Sequence, residues 1–147
     1  MKAGLLLLAV VGAALIAATH ASARQACTPG GSTRSRTFCG PARAILKDRG
    51  KKYDFNEGGN CTTDSSSWSL NIGTITLVGK PKHKYFGITV FTKKAGTHNA
   101  AVSWQLPNGT NESLRHAKVT LAPGLKKGTF KGVNSSGGTS TGSFTCK

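Results

Sequence analysis

The chain has 147 residues and carries 20 Lys and Arg against five Asp and Glu, a formal net charge of +15 at pH 7. Its 19 glycines, many Ser and Thr, and lack of uninterrupted helix-forming segments favour short strands and turns and do not support a helical or parallel α/β fold. Such a charge attracts polyanions and anionic surfaces, although it is also compatible with a surface that only keeps the protein soluble.

Residues 1–23 are typical of a signal peptide. Lys2 precedes an uncharged run from Ala3 to Ala18, and Ala21-Ser22-Ala23 provides an A-x-A cleavage site. The alternative is a membrane anchor, which needs about 20 apolar residues, and this run is shorter. We therefore expect a secreted or cell-envelope protein with no transmembrane segment in the mature chain.

Residues 24–52 form a first region that is rich in Lys and Arg and interrupted by Gly and Pro. We expect an irregular basic arm with a disulfide loop. Within it, a short helix is expected over Ala42–Arg49, because Pro41 suits the first turn of a helix.

From Tyr53 onward, apolar residues alternate with polar ones, as in half-buried strands. A change of parity predicts a β-bulge at Gly73, after which Ile75 and Leu77 continue the apolar face. Turn-forming stretches separate the alternating segments. Residues 53–147 are expected to form an all-β domain, an antiparallel sandwich of about seven strands or a closed barrel, and we favour the sandwich. The other apolar positions are Trp68, Leu70, Ile72, Phe86, Ile88, Val90, Ala100, Val102, Trp104, Leu106, Ala117, Val119, Leu121, Phe130 and Phe144.

The four cysteines suggest two disulfides, for which three pairings are possible. We favour Cys27–Cys39 and Cys61–Cys146, and Cys146 shares the parity of Phe144, which points to the core. A zinc site is the alternative, but the chain has no C-x-x-C spacing. We expect neither a metal ion nor a cofactor.

Three basic clusters fall in predicted turns. If the strands run up and down, alternate turns share one end of the domain, and two of these clusters lie together there. The hypothesis is that this end binds an anionic polymer or an anionic membrane surface, and the alternative is that turn lysines are simply solvated. The residues of this site are Lys93, Lys94, Lys126, Lys127 and Lys131, and a second basic cluster is Lys80, Lys82 and Lys84.

Specific nucleic-acid binding is not expected, because it usually interleaves aromatic and basic residues. Trp68, Trp104 and Phe86 lie on apolar faces and are assigned to the core. Tyr85 and Phe91 have the opposite parity and are candidates for an exposed platform, although in a sandwich they could equally cover a sheet edge.

No catalytic residue can be assigned, because His83, His98 and His116 belong to no metal or nucleophile motif. The expected function is a non-enzymatic exported protein that binds anionic polymers or surfaces through Lys and Arg. The alternatives are a cationic membrane-active defence or toxin protein and a secreted enzyme without a recognisable motif.

Three short motifs lie in the second half of the chain: Cys61-Thr62-Thr63, residues 128–133 (GTFKGV) and Phe144-Thr145-Cys146. On these motifs, residues 61–147 resemble the 19-kilodalton lipoprotein antigen family of actinobacteria. The resemblance implies a cell-envelope β-sandwich with a disulfide near residue 146 and no assigned catalytic site. The lipid-bearing cysteine of that family has no counterpart here, and no functional residue is carried over.

Overall fold

The computed structural model describes residues 27–147, and the predicted signal peptide, residues 1–23, lies outside them. Within residues 27–147 the chain forms twelve strands in one antiparallel sheet, which confirms the all-β prediction. No helix in this part of the chain could cross a membrane. The strands are β1 (Gly30–Gly31), β2 (Ser35–Phe38), β3 (Arg43–Asp48), β4 (Lys51–Phe55), β5 (Gly59–Thr63), β6 (Trp68–Thr76), β7 (Tyr85–Val90), β8 (Gly96–Gln105), β9 (Asn111–Ser113), β10 (Arg115–Leu121), β11 (Lys127–Val133) and β12 (Thr139–Thr145).

The sheet is continuous, but it folds over on itself. Its strand order is β1-β2-β6-β7-β8-β10-β11-β12-β3-β4, with β5 beside β6 and β9 beside β8. Strand β8 belongs to both parts, because residues 100–105 pair with β7 and residues 96–99 pair with β10. We call β1, β2, β5, β6, β7 and β9 the first half, and β3, β4, β10, β11 and β12 the second half.

The inward side chains of the two halves pack together in one hydrophobic core. The ring of Phe86 in the first half lies 5.1 Å from Phe55 and 5.2 Å from Phe130 of the second half, measured between centroids. Trp68 lies 5.1 Å from Phe144 in the same way. Because all five rings are buried, their removal from water is a large part of what holds the halves together.

Two inward glycines make room for these rings. Gly128 lies directly across from Phe144, and Gly142 lies directly across from Phe130. A Cβ atom at either glycine would overlap the ring opposite. The inward face of β11 and β12 is therefore fixed, and the residues between these positions must face solvent.

Both disulfides have the favoured pairing. Cys27 and Cys39 lie 5.7 Å apart between Cα atoms, and Cys61 and Cys146 lie 5.8 Å apart. The second bond joins β5 in the first half to the residue that follows β12 in the second half. It therefore links the two halves covalently at one end of the core.

The helix expected over Ala42–Arg49 was wrong. This segment forms β3, in which Ala44 and Leu46 are buried and Lys47 is exposed. That alternation has the two-residue period of a strand, and β3 pairs with both β12 and β4. The strand number also exceeds the expected seven, partly because residues 30–52 contribute strands and are not irregular throughout.

The placement of Leu77 on the apolar face was also wrong. Gly73 has a φ of 80°, and β6 changes its edge partner there, from β5 up to Ile72 to β2 from Gly73 onward. Beyond this point Ile75 is only half-buried, and Leu77 is 55 % exposed. The change at Gly73 therefore ends the alternation of buried and exposed residues, which does not resume at Ile75 and Leu77.

The aromatic side chains divide differently from the expectation. Trp68, Trp104 and Phe86 are buried and Phe91 is exposed, as expected. Tyr85 was expected at the surface and is buried instead. Its hydroxyl donates a hydrogen bond to Asn71 Oδ1 at 2.8 Å, and burial raises the pKa of the phenol.

Replacing both Cys61 and Cys146 by Ser should lower the free energy of unfolding by about 4–5 kcal/mol, because this bond closes a separation of 85 residues. Replacing both Cys27 and Cys39, which are 12 residues apart, should cost about 3 kcal/mol. Urea unfolding without reductant measures both values. Equal losses in the two variants would contradict the chain-closure explanation.

Candidate anion-binding surface

The second half of the sheet turns a row of lysines toward solvent. We call Lys47, Lys52, Lys118 and Lys131 the lysine row. Neighbouring strands are about 4.8 Å apart, so these four lysines extend over a line of about 19 Å from β10 to β4. In register from β8 to β4, the outward residues are Asn99, Lys118, Lys131, Thr141, Lys47 and Lys52.

The core determines which way these lysines point. Val119 and Phe130 are buried next to Lys118 and Lys131, and Leu46 is buried next to Lys47. Because successive side chains alternate across a strand, burying one set exposes the other. All four lysines of the row are exposed.

The lysine row contains two like-charged pairs. Lys118 lies directly across from Lys131, and Lys47 lies directly across from Lys52. Like charges in this position destabilise a sheet by roughly 0.2–1 kcal/mol per pair. Within residues 27–147, no carboxylate lies within 4.0 Å of these four ammonium groups. The repulsion is therefore not relieved by an ion pair in the described part of the chain.

A second outward row runs beside the lysine row, and four of its six residues carry hydroxyl groups. The hydroxyls of Thr97 and Thr120 are 2.8 Å apart and hydrogen-bonded. Together with three of the lysines, the hydroxyl groups line an open groove of about 580 Å³. In register from β8 to β4, this second row is Thr97, Thr120, Thr129, Ser143, Ile45 and Asp54.

The residues of the sequence-predicted polyanion site occupy two surfaces. Lys131 belongs to the lysine row, and Lys127 lies at the start of the same strand, opposite Thr145. Lys93 and Lys94 lie in the β7–β8 loop, and Lys126 lies in the β10–β11 turn. We call Lys93, Lys94 and Lys126 the paired-lysine end.

Both loops of the paired-lysine end lie at one end of the sheet. Gly96, which follows the first loop, pairs with Leu121, and Leu121 also pairs with Gly128 after the second. The carboxylate of Asp64 is also close to this end. Hydrogen bonds from Ser66 and Ser67, and the charge of Lys93, hold the pKa of Asp64 below its ordinary value.

The three lysines of the second basic cluster also differ in their environments. Lys84 Nζ lies 2.9 Å from Glu57 Oε1 and donates a hydrogen bond to the carbonyl oxygen of Asp54 at 2.9 Å. The aliphatic part of Lys80 packs over Gly109. Lys82 is exposed. The cluster is thus not a set of three equivalent free charges.

The sequence pattern did not group Lys47, Lys52 and Lys118 with Lys131, whereas the structure brings them into one row. Lys47 and Lys52 fall in residues 24–52, whose composition favours an irregular arm. The alternation of Ala44 and Leu46 with charged residues was the signal that could have identified β3. The cross-strand partners of these lysines had no signal in a local pattern, because β3 and β12 are far apart in the chain.

Arg49 fixes the position of the β3–β4 hairpin that carries Lys47 and Lys52. Arg49 and Gly50 have φ values of 49° and 73°, as a tight two-residue hairpin turn requires. The Arg49 guanidinium pairs with Glu112 on β9 and donates a hydrogen bond to Ser135 Oγ at 3.0 Å. One side chain thus joins this hairpin to both halves of the sheet.

A buried polar cluster lies beneath this turn. Asn134 Nδ2 donates a hydrogen bond to Asp48 Oδ1 at 2.8 Å, and the Ser140 hydroxyl donates to the same oxygen. All three residues are buried, so each polar group needs a partner to offset its loss of water. The cluster holds β3 against β12 and the β11–β12 turn.

Among residues 27–147, no three His, Cys, Asp or Glu side chains are grouped so as to hold a metal ion. Comparison with known proteins identified no matching family model, curated protein or solved structure. The resemblance to the 19-kilodalton lipoprotein antigen family therefore stays a prediction.

Glu112→Gln should make unfolding less dependent on acid pH. A hydrogen bond from Ser135 and, next, the hydrogen bond and charge of Arg49 hold the pKa of Glu112 below its ordinary value of 4.5. The stability from this lowered pKa is complete above the unfolded value and is lost as pH falls through the folded pKa. Urea unfolding of both proteins from about pH 6 to pH 3 measures this difference.

Ser135→Ala is the matched control, because it removes one hydroxyl and keeps the charge pair of Arg49 and Glu112. It should retain part of the acid dependence. Identical pH profiles for the wild-type protein and Glu112→Gln would contradict this assignment.

Proposed function

We propose that the protein binds a linear anionic polymer outside the cell or in the cell envelope, and that the lysine row is the binding surface. The observation that carries the proposal is the direct cross-strand pairing of Lys118 with Lys131 and of Lys47 with Lys52. The two disulfides are compatible with an extracellular location.

Solubility alone does not account for this arrangement. A net charge of +15 keeps a protein in solution wherever the charges lie, and scattered lysines avoid mutual repulsion. Two like-charged pairs in one row reduce the stability of the sheet. An anion placed between the ammonium groups would convert this repulsion into attraction.

The geometry favours an extended polymer over a small anion. The four lysines lie in a line of about 19 Å across five strands, which exceeds the reach of one phosphate or sulfate group. The neighbouring hydroxyl groups of Thr120, Thr129 and Ser143 can donate hydrogen bonds to anionic oxygens. The expected ligands are chains of sulfate, phosphate or carboxylate groups.

The paired-lysine end is the weaker candidate for this ligand. Its lysines are on loops, and Asp64 lies close enough to Lys93 for the lysine to lower its pKa. In the described residues, no lysine of either surface has a carboxylate within 4.0 Å of its ammonium group. The surfaces differ in that the lysines of the row are held on hydrogen-bonded strands, whereas those of the paired-lysine end lie on loops.

Replacing all four residues of the lysine row by Gln should weaken binding to heparin by on the order of tenfold or more and reduce the salt dependence of binding, because fewer counterions are released. The measurement is the dissociation constant of the disulfide-bonded protein for heparin, and for polyphosphate, at several salt concentrations.

The matched control replaces Lys80, Lys82, Lys93 and Lys94 by Gln, which removes the same net charge from two other surfaces. It should bind heparin more tightly than the row variant at every salt concentration. Equal losses in the two variants would show that only net charge matters and would overturn the proposal.

The row variant should also be slightly more stable than the wild-type protein. Removing two like-charged pairs should raise the free energy of unfolding by about 0.5–2 kcal/mol. Urea unfolding at low salt measures this change. A loss of stability would contradict the repulsion on which the proposal rests.

A further inference from the structure

Two adjacent apolar side chains project from the β6–β7 loop. Leu77 is 55 % exposed and Val78 is 61 % exposed. Phe91, at 75 %, is the one other large apolar residue of comparable exposure within residues 27–147. Single exposed apolar residues are ordinary on protein surfaces, but two in succession at the start of a loop call for an explanation. We call Leu77 and Val78 the apolar tip.

The backbone beneath the apolar tip is held on both sides. The side-chain amide of Gln105, which is buried, accepts a hydrogen bond from Thr76 N at 2.7 Å and donates one to Thr76 O at 2.9 Å. Leu77 N donates to Arg34 O at 2.8 Å. On the far side of the tip, Pro81 is buried. Little conformational entropy would therefore be lost if the tip were immobilised on a partner.

Basic residues flank the apolar tip. Arg34 is exposed in the β1–β2 turn, and its carbonyl oxygen contacts the tip. Lys80 and Lys82 follow the tip in the same loop and are exposed. None of these three side chains has a carboxylate within 4.0 Å in the described residues. The nearby ion pair, Lys84 with Glu57, is already formed within the protein.

We propose that the apolar tip docks on an anionic lipid bilayer, with Leu77 and Val78 entering the interface and Arg34, Lys80 and Lys82 contacting the lipid headgroups. Apolar side chains flanked by cations are the combination that binds peripheral proteins to anionic membranes. This site is separate from the lysine row and does not depend on the polymer-binding proposal.

Charge complementarity selects a bilayer over a second copy of the chain. Every copy carries the same basic residues around the tip, so two tips would repel each other on approach. A negatively charged bilayer attracts Arg34, Lys80 and Lys82 together, and its apolar interior can accommodate the side chains of the apolar tip.

The test is co-sedimentation of the disulfide-bonded protein with vesicles of phosphatidylcholine and phosphatidylglycerol, and with vesicles of phosphatidylcholine alone. The wild-type protein should bind the mixed vesicles. Leu77→Ser with Val78→Ser should lower the partition coefficient by roughly tenfold, because the apolar contribution is lost. Replacing Lys80 and Lys82 together by Gln should lower binding to the mixed vesicles and should not change binding to vesicles of phosphatidylcholine.

Phe91→Ser is the matched control, since it removes a more exposed apolar side chain from the opposite end of the β6–β7 hairpin. That position follows from the register, in which Val90 pairs with Trp68 and Tyr85 pairs with Gly73. Phe91→Ser should bind vesicles within about twofold of the wild-type protein. Urea unfolding should show that both Ser variants keep their stability, because the altered side chains are exposed.

Three outcomes would overturn the proposal. The first is vesicle binding that survives in the tip variant and is lost in Phe91→Ser. The second is vesicle binding that is lost in the lysine-row variant to the same extent as in the tip variant. The third is lipid-free self-association that the tip substitutions abolish, which would make the tip an interface between copies. Loss of heparin binding by the lysine-row variant, with vesicle binding retained, would support two independent sites.

Discussion

The packing of aromatic rings between the two halves of the sheet is the constraint on which the other features depend. Phe86 contacts Phe55 and Phe130 across the core, and these contacts require the sheet to fold over. The glycine opposite Phe130 has space for hydrogen alone. Once these rings are buried, it is fixed which side chains of each strand in the second half face the core. The lysines of the lysine row must then face solvent.

Local patterns in the sequence predicted a good part of this fold. Alternation of apolar and polar residues placed Trp68 and Phe86 in the core, and the parity of Cys146 supported the disulfide with Cys61. The same patterns do not identify β3, because Gly, Pro and basic residues dominate the composition of residues 24–52 and favour an irregular arm. Local periodicity carries no information on which distant strand will be the neighbour.

The same limit explains why the sequence predicted only part of the lysine row. Lys118 could be assigned to solvent from the alternation of its own strand, but its partner across the sheet could not be inferred. Lys47 meets Thr141 in a register between segments far apart in the chain. A charged residue's neighbours within its strand can be read directly from the sequence, whereas the neighbours that decide its electrostatics come from the folded sheet.

The pairing of β3 with β12 has a consequence for how the protein matures. Of the described strands, β12 is the last to be synthesised. Until then β3 lacks its neighbour on that side, and Cys61 cannot form its disulfide with Cys146. Neither a nascent chain nor a truncated fragment can assemble the complete line of charge. The proposed polymer binding therefore requires that β12 has been synthesised and inserted beside β3.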